Sequence, residues 1–131
     1  MRNLLFQTGF SLLLTHELDA VTQHEWRLLF ILRSLSDSIG RDVFVAIHVP
    51  LFVLLLWLTQ NNHPSLRKQS RLALSTFMVI HALLHWRLRH HPLNTFTTPL
   101  SLNLIYGAGL LGLLYVAISV ISSVLQRPGI R

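Results

Sequence analysis

The sequence contains no cysteine, which removes disulfide scaffolds, thiolate metal sites and cysteine nucleophiles at once. It is also poor in charge. Of 131 residues 12% are charged and 51% are apolar, too greasy for a disordered chain or an ordinary soluble domain. Acids are scarcest: Glu17, Asp19, Glu25, Asp37 and Asp42 are all there are, against eleven lysines and arginines, for a net charge of +6. No Gly-rich phosphate loop, nucleophile elbow or basic stripe with interleaved aromatics occurs, so no nucleic-acid partner is expected. What remains for chemistry is carboxylate and histidine, of which there are eight.

Long uncharged runs are what the chain does have, at Asn3 to His16, Val43 to Leu66 and His90 to Gln126. They predict an all-α integral membrane four-helix bundle, one membrane domain over 1–131 with spans at about 3–20, 43–58, 72–86 and 99–125. Met1-Arg2 before an apolar run imitates a signal peptide, but the run ends in Thr15-His16-Glu17-Leu18-Asp19 without a small-x-small site, which favours an uncleaved first span. Leu28, Ile31, Leu32 and Leu35 keep helical spacing, so over about 21–35 the first helix either continues or restarts as an amphipathic surface segment, broken by Ser34 to Asp42. Pro50 should kink the second span. Pro64 suits the first turn of the third, and Thr98-Pro99 a cap and first helical residue of the fourth.

Four spans put both termini on one side. That side carries Arg2, Arg67, Lys68, Arg71, Arg127 and Arg131, whereas the other carries Arg27, Arg33, Arg41, Arg87, Arg89 and all the acids. The small excess of cations favours cytoplasmic termini, with the basic residues read as topology signals rather than a phosphate-binding face. Trp26 and Trp86 mark one interface and Trp57 the other.

Depth arithmetic points to a site. At about 1.5 Å per residue from the acidic end of each span, His16 and Glu17 lie roughly 5 Å in, His48 and His81 roughly 10 Å, and Asn103 and Tyr106 roughly 6 to 10 Å, with His85 near the boundary. Ionisable residues inside a membrane are costly and face a bundle interior or wet cavity. His81 and His85, four apart, share one helical face and can reach one ion. The expected ligand set is therefore His16, Glu17, His48, His81 and His85, around a divalent metal ion: zinc, iron or manganese, which accept nitrogen and oxygen donors. Glu17 is also the candidate general base. Asp19 is placed to orient the His16 imidazole or to meet water or Arg87, and Asn103 and Tyr106 to contact a substrate or a neighbouring helix. His24-Glu25-Trp26-Arg27 reads as a surface lid or anchor, with His24 the candidate to take part. Gly107, Ala108, Gly109 and Gly112 form a small-residue stripe, and Ala108 and Gly112 could seat a helix of the bundle, a second protomer or a partner protein.

The strings Thr15-His16-Glu17-Leu18-Asp19-Ala20, His24-Glu25-Trp26-Arg27, His48-Val49-Pro50-Leu51-Phe52 and Ile80-His81-Ala82-Leu83-Leu84-His85 resemble a family of small bacterial four-helix membrane proteins of unknown function. They are more distantly similar to the HXXEE membrane proteins, with Glu17 and Asp19 after His16 in place of paired glutamates. The first resemblance covers nearly the whole chain. It implies a multi-pass bacterial inner-membrane protein in contact with lipid and implies no reaction. From the residues, the leading expectation is a metal-dependent, hydrolase-like site acting on a lipid or other amphiphile. Its rival is a non-catalytic accessory or structural subunit whose histidines form a hydrogen-bond network. An ion carrier ranks below both, because the terminal halves of the spans offer only Gln7, Thr8, Ser75, Ser119 and Ser122.

Overall fold

The computed structural model describes residues 1–125, and these form four helices and no strand. Helix α1 is Arg2–Thr22, α2 Asp37–Thr59, α3 Pro64–Leu88 and α4 Pro99–Leu125. Arg127 and Arg131 lie outside the described residues. The Ser101 N–H donates to Thr98 Oγ1 at 3.1 Å, the expected cap, and Pro99 and Pro64 open their helices where a missing N–H costs nothing. Pro50 lies inside α2, which is helical on both sides of it.

Close approaches at small residues set the packing. Gly9 lies against Leu111 and Met78, Gly107 against Leu12, Gly109 against Ala82, and Gly112 against Ser75 and Met78. Residue numbers on α4 therefore fall as those on α1 and α3 rise, so α4 runs antiparallel to both. Helices α1 and α3 run the same way, with Arg71 donating to Asn3 at one end and His16 beside His81 and His85 at the other. The start of α1 and the end of α4 thus share one end of the molecule. The stripe at Ala108, Gly109 and Gly112 is buried within the chain, where it lets α3 and α4 come close.

Helix α2 sits outermost and buries only Gly40, Phe44 and Thr59. Two core clusters are stacked along the axis. Phe6, Phe10, Leu13, Leu74, Met78, Ala108 and Tyr115 fill the half nearer the start of α1, and Ala20, Trp26, Phe44, Ala82, Phe96 and Ile105 fill the other. Polar side chains are buried while large apolar ones face out: His16, Glu25, Ser75, His85, Ser101 and Ser119 lie inside, whereas Ile47, Val49, Val53, Leu83, Leu110 and Ile121 are exposed. Helices α2 and α4 are long and apolar enough to cross a membrane. Helix α1, at 21 residues, and α3, at 25, are long enough at about 1.5 Å per residue but carry His16, Glu17 and Asp19, and Arg67, Lys68 and Arg71.

The connection between α1 and α2 departs from the expected helix over 21–35. After Thr22 the chain makes only short 3-10 turns at Glu25–Arg27 and Leu32–Ser34. His24 takes a left-handed conformation, φ 57°, which turns Glu25 and Trp26 back into the interior and ends the helical phase that Leu28 to Leu35 would need. Helix α2 begins at Asp37, earlier than the expected break allows, with extended Ser36 before it and an acid in the first turn that suits the helix dipole.

A Cβ on residue 112 would lie 2.6 Å from the Ser75 carbonyl oxygen, whereas one on residue 107 would meet only the Leu12 Cδ1 tip at 3.1 Å. Gly112→Ala should therefore force α3 and α4 apart at a cost of about 1–3 kcal/mol, and Gly107→Ala should cost much less. Melting temperatures of the two purified variants check this; equal losses would refute it.

Candidate metal centre

Four donors from three parts of the chain meet between α1 and α3. His16 comes from the penultimate turns of α1, His81 and His85 from one face of α3, and Glu25 from the turn that the left-handed His24 folds inward. One side-chain donor atom from each lies within 4.8 Å of the others. His16 is fully buried, and Glu25 and His85 are 7% exposed. The imidazole centroids are 4.9 Å apart for His16 and His81, 4.6 Å for His81 and His85, and 5.0 Å for His16 and His85.

The spacing is wider than hydrogen bonding would make it. His16 Nε2 stands 3.4 Å from Glu25 Oε2, and His85 Nε2 stands 3.5 Å from Glu25 Oε1, beyond the usual 2.7–3.2 Å of an N–H···O bond. An ion about 2.1 Å from each of four tetrahedral donors holds neighbouring donors roughly 3.4 Å apart; these two gaps are close to that edge, and the full set, within 4.8 Å, would draw in around an ion. Among the described residues, both ring nitrogens of His16, Nε2 of His81, Nδ1 of His85 and Oε2 of Glu25 are buried without a hydrogen-bond partner. Groups left so cost about 1–3 kcal/mol each, and a cation taking one nitrogen from each imidazole and one carboxylate oxygen would recover part of that cost.

The site is clamped from the side of the α1–α2 connection. Trp26, next to Glu25, is buried, and its Nε1–H donates to Asp37 Oδ1 at 2.9 Å. Arg27 grips both Asp37 oxygens at 2.8 Å. Gly40 gives the indole room, since a Cβ there would meet Trp26 Cδ1 at 3.1 Å. From the α3–α4 connection, Thr95 Oγ1 donates to the Gln23 carbonyl and Phe96 packs on the rings of His16 and His85 at 5.3 and 4.7 Å. Burial disfavours the charged form of Glu25, but the His16 and His85 imidazoles facing its oxygens outweigh that and hold its carboxyl well below the ordinary carboxylate range.

The sequence candidates divide into two groups. His16, His81 and His85 come together as above. Glu17 and His48 pair with each other instead, at 3.0 Å between Glu17 Oε2 and His48 Nε2. His48 Nδ1 faces the Phe44 carbonyl at 2.6 Å and must donate to it, so one proton bridges Nε2 and Glu17, carried by either partner. This pair lines a groove of about 220 Å³ between α1 and α2, with Leu18, Val21, Val45, Val49 and Phe52. Asp19 accepts from Gln23 Nε2 at 3.3 Å through Oδ1, while its Oδ2 is buried without a partner. His24 shapes the turn and packs its ring on Trp26 rather than joining the cluster.

Asn103 and Tyr106 are exposed, and Tyr106 lines an apolar groove with Ala82, Leu83 and Trp86. The face of α4 that turns inward is instead that of Ser101, Leu104, Ile105 and Ala108. Glu25 is the donor that sequence reasoning missed. Extending α1 as a straight helix carries it beyond reach of the histidines, so the sequence places it only within the His24-Glu25-Trp26-Arg27 lid or anchor and not in the ligand set.

Residues 2–122 match a family of unknown function, DUF6713. No curated protein and no solved structure matches the chain.

Two results are expected of this arrangement. Asp37→Ala removes the anchor of Trp26 and Arg27, frees the turn that aims Glu25, and should weaken binding of zinc or cobalt by about 10–100-fold while raising tryptophan mobility in fluorescence anisotropy. An unchanged affinity would show that Glu25 needs no clamp. Because the carboxyl of Glu25 is depressed in the folded chain, its stabilisation is complete above its unfolded value of about 4.5 and is lost as pH falls through the folded one. The metal-free wild type should thus melt above Glu25→Gln at neutral pH, with the gap closing in strong acid; a gap independent of pH would refute the ionised role.

Proposed function

We propose, from the premise that the chain belongs to DUF6713, a family of unknown function, that it is an integral membrane four-helix protein holding one divalent metal ion near the membrane face opposite its termini. The observation that carries this is the convergence of His16, Glu25, His81 and His85 donor atoms within 4.8 Å, most of them buried and unpartnered. Three imidazoles and one carboxylate suit zinc, iron or manganese. The membrane part rests on two helices of spanning length and composition, and on an exterior where many Val, Ile and Leu side chains are exposed while His16, Glu25 and His85 are buried. The chain then crosses the inner membrane four times, with termini in the cytoplasm.

A second reading makes the centre catalytic, and the groove at Glu17 favours it. Glu17 follows His16 directly in α1 and opens with His48 between two apolar helix faces, where the acyl part of a lipid or other amphiphile can lie. A bound ion would supply a more acidic water. Glu17, sharing a single proton with His48, is the carboxylate that would receive the proton of a water adding to an ester or amide carbon, and the same pair would return a proton to the alcohol or amine that leaves as the C–O or C–N bond breaks. In a purely structural role the same ion would instead tie α1 to α3 and hold the α1–α2 connection closed.

The deciding measurement is elemental analysis of protein purified without chelators, beside the His81→Ala/His85→Ala double variant. About one equivalent of ion in wild type, and loss of at least 100-fold in zinc affinity in a variant with unchanged helix content, is the expected result. Wild type that neither carries nor takes up metal would return these residues to a hydrogen-bonded network. If the metallated protein hydrolyses an amphiphile, Glu17→Gln should cut the rate at least about 100-fold while leaving the ion bound; equal rates would exclude Glu17 as the base.

A further inference from the structure

At the end of the molecule opposite the histidines, a cavity of about 630 Å³ opens between the first turns of α1 and α3 and the last turn of α2. Its lining includes Arg2, Asn3, Arg67, Lys68 and Arg71, with the buried Tyr115 at its inner wall. Four cations gather here from two helices. No acid answers them, because every Asp and Glu of the chain falls between positions 17 and 42, and those described sit on the other half of α1, in the α1–α2 connection or in the first turns of α2.

The backbone adds to the same sign. Helices α1 and α3 both begin at this cavity, neither has an acid in its first turn, and neither has a side-chain cap. Cations at the positive ends of helix dipoles are unfavourable unless an anion lies among them. Structural work occupies only part of the set. Arg71 donates to the Thr59 carbonyl at 2.8 Å and to Asn3 Oδ1 at 3.0 Å, lies over the Phe6 ring, and so bridges α1, α2 and α3. Arg67 donates to the Asn61 carbonyl at 2.8 Å. Arg2 and Lys68 make no hydrogen bond to another described residue, and both are exposed.

We infer that this cavity binds the phosphate of an anionic phospholipid headgroup, with Arg71 and Arg67 as a fixed wall and Arg2 and Lys68 as closing arms. Lipid is favoured over free phosphate by position. The cavity lies at the end of α2, a helix of spanning length whose neighbouring surface at Val53, Leu54 and Trp57 is apolar and exposed, so a headgroup can enter while its acyl chains stay against that helix. The inference rests on the membrane part of the proposed function and is independent of the metal centre.

The test is thermal melting of the full chain in a neutral detergent with dihexanoyl phosphatidylglycerol, dihexanoyl phosphatidylcholine or inorganic phosphate added. Phosphatidylglycerol should raise the melting temperature by about 5 °C at saturation and phosphatidylcholine by much less. Arg2→Gln/Lys68→Gln should melt like wild type without lipid and lose at least half of that rise. Equal rises with the two lipids, or a rise that survives in the double variant, would overturn the assignment. A full rise with inorganic phosphate and none with phosphatidylglycerol would overturn the lipid source. A chain that stays dispersed with no detergent refutes the membrane reading by itself, which separates that failure from a failure of the anion site.

Discussion

A carboxylate can enter an interior of this kind only in company, and the half of the molecule away from the termini is arranged around that constraint. Glu25 is 7% exposed and its neighbours are imidazoles, not cations of fixed charge. An imidazole is a partner that can hold a proton, give it up or exchange it for a metal ion, so the same pocket is stable to more than one occupant. That flexibility has a structural requirement: the carboxylate must not swing out to water. The left-handed turn at His24, the buried Trp26 and the Arg27 fork on Asp37 together meet it.

The contact between α3 and α4 is governed by distance rather than charge. Gly109 and Gly112 allow the α4 backbone to approach α3 so closely that a Cβ at either would lie 2.6 Å from its nearest neighbour. In the membrane setting proposed above, lipid would leave little hydrophobic gain in bringing helices together, and such contact is what would hold them. Close α3–α4 packing also fixes the rotation of α3 about its axis. It directs Ser75, Met78, Ala82 and His85 to the interior, which puts His81, between them, beside His16. The glycines thus position the histidines from a distance.

Much of this is legible in the sequence. Helix number, the start of α3 at Pro64 and the cap at Thr98, the small-residue stripe and the i, i+4 pair on α3 follow from periodicity and local backbone rules, which act within a turn or two. The meeting of His16 with His81 and His85 follows from depth along the helices. Rotation about each axis does not, which is why Asn103 and Tyr106 share the depth yet face outward while Leu104 and Ile105 face in. Glu25 was hidden for another reason. A single left-handed residue redirects everything after it; histidine is among the non-glycine types enriched in that conformation but adopts it in few of its positions, and no period announces it.

The two polar ends also bear on what the molecule can carry. Between the histidine cluster and the basic cavity lie Phe6, Phe10, Leu13, Leu74, Met78 and Ala108, a packed apolar layer whose close polar neighbour is the unpartnered Ser75 hydroxyl. An ion leaving the imidazoles toward the termini would have to shed its ligands without finding replacements, a step far costlier than any gain at the far end. The apolar layer therefore separates the histidine cluster from the basic cavity, and the two sites proposed for them would act at opposite ends of the molecule rather than as the two ends of one pathway.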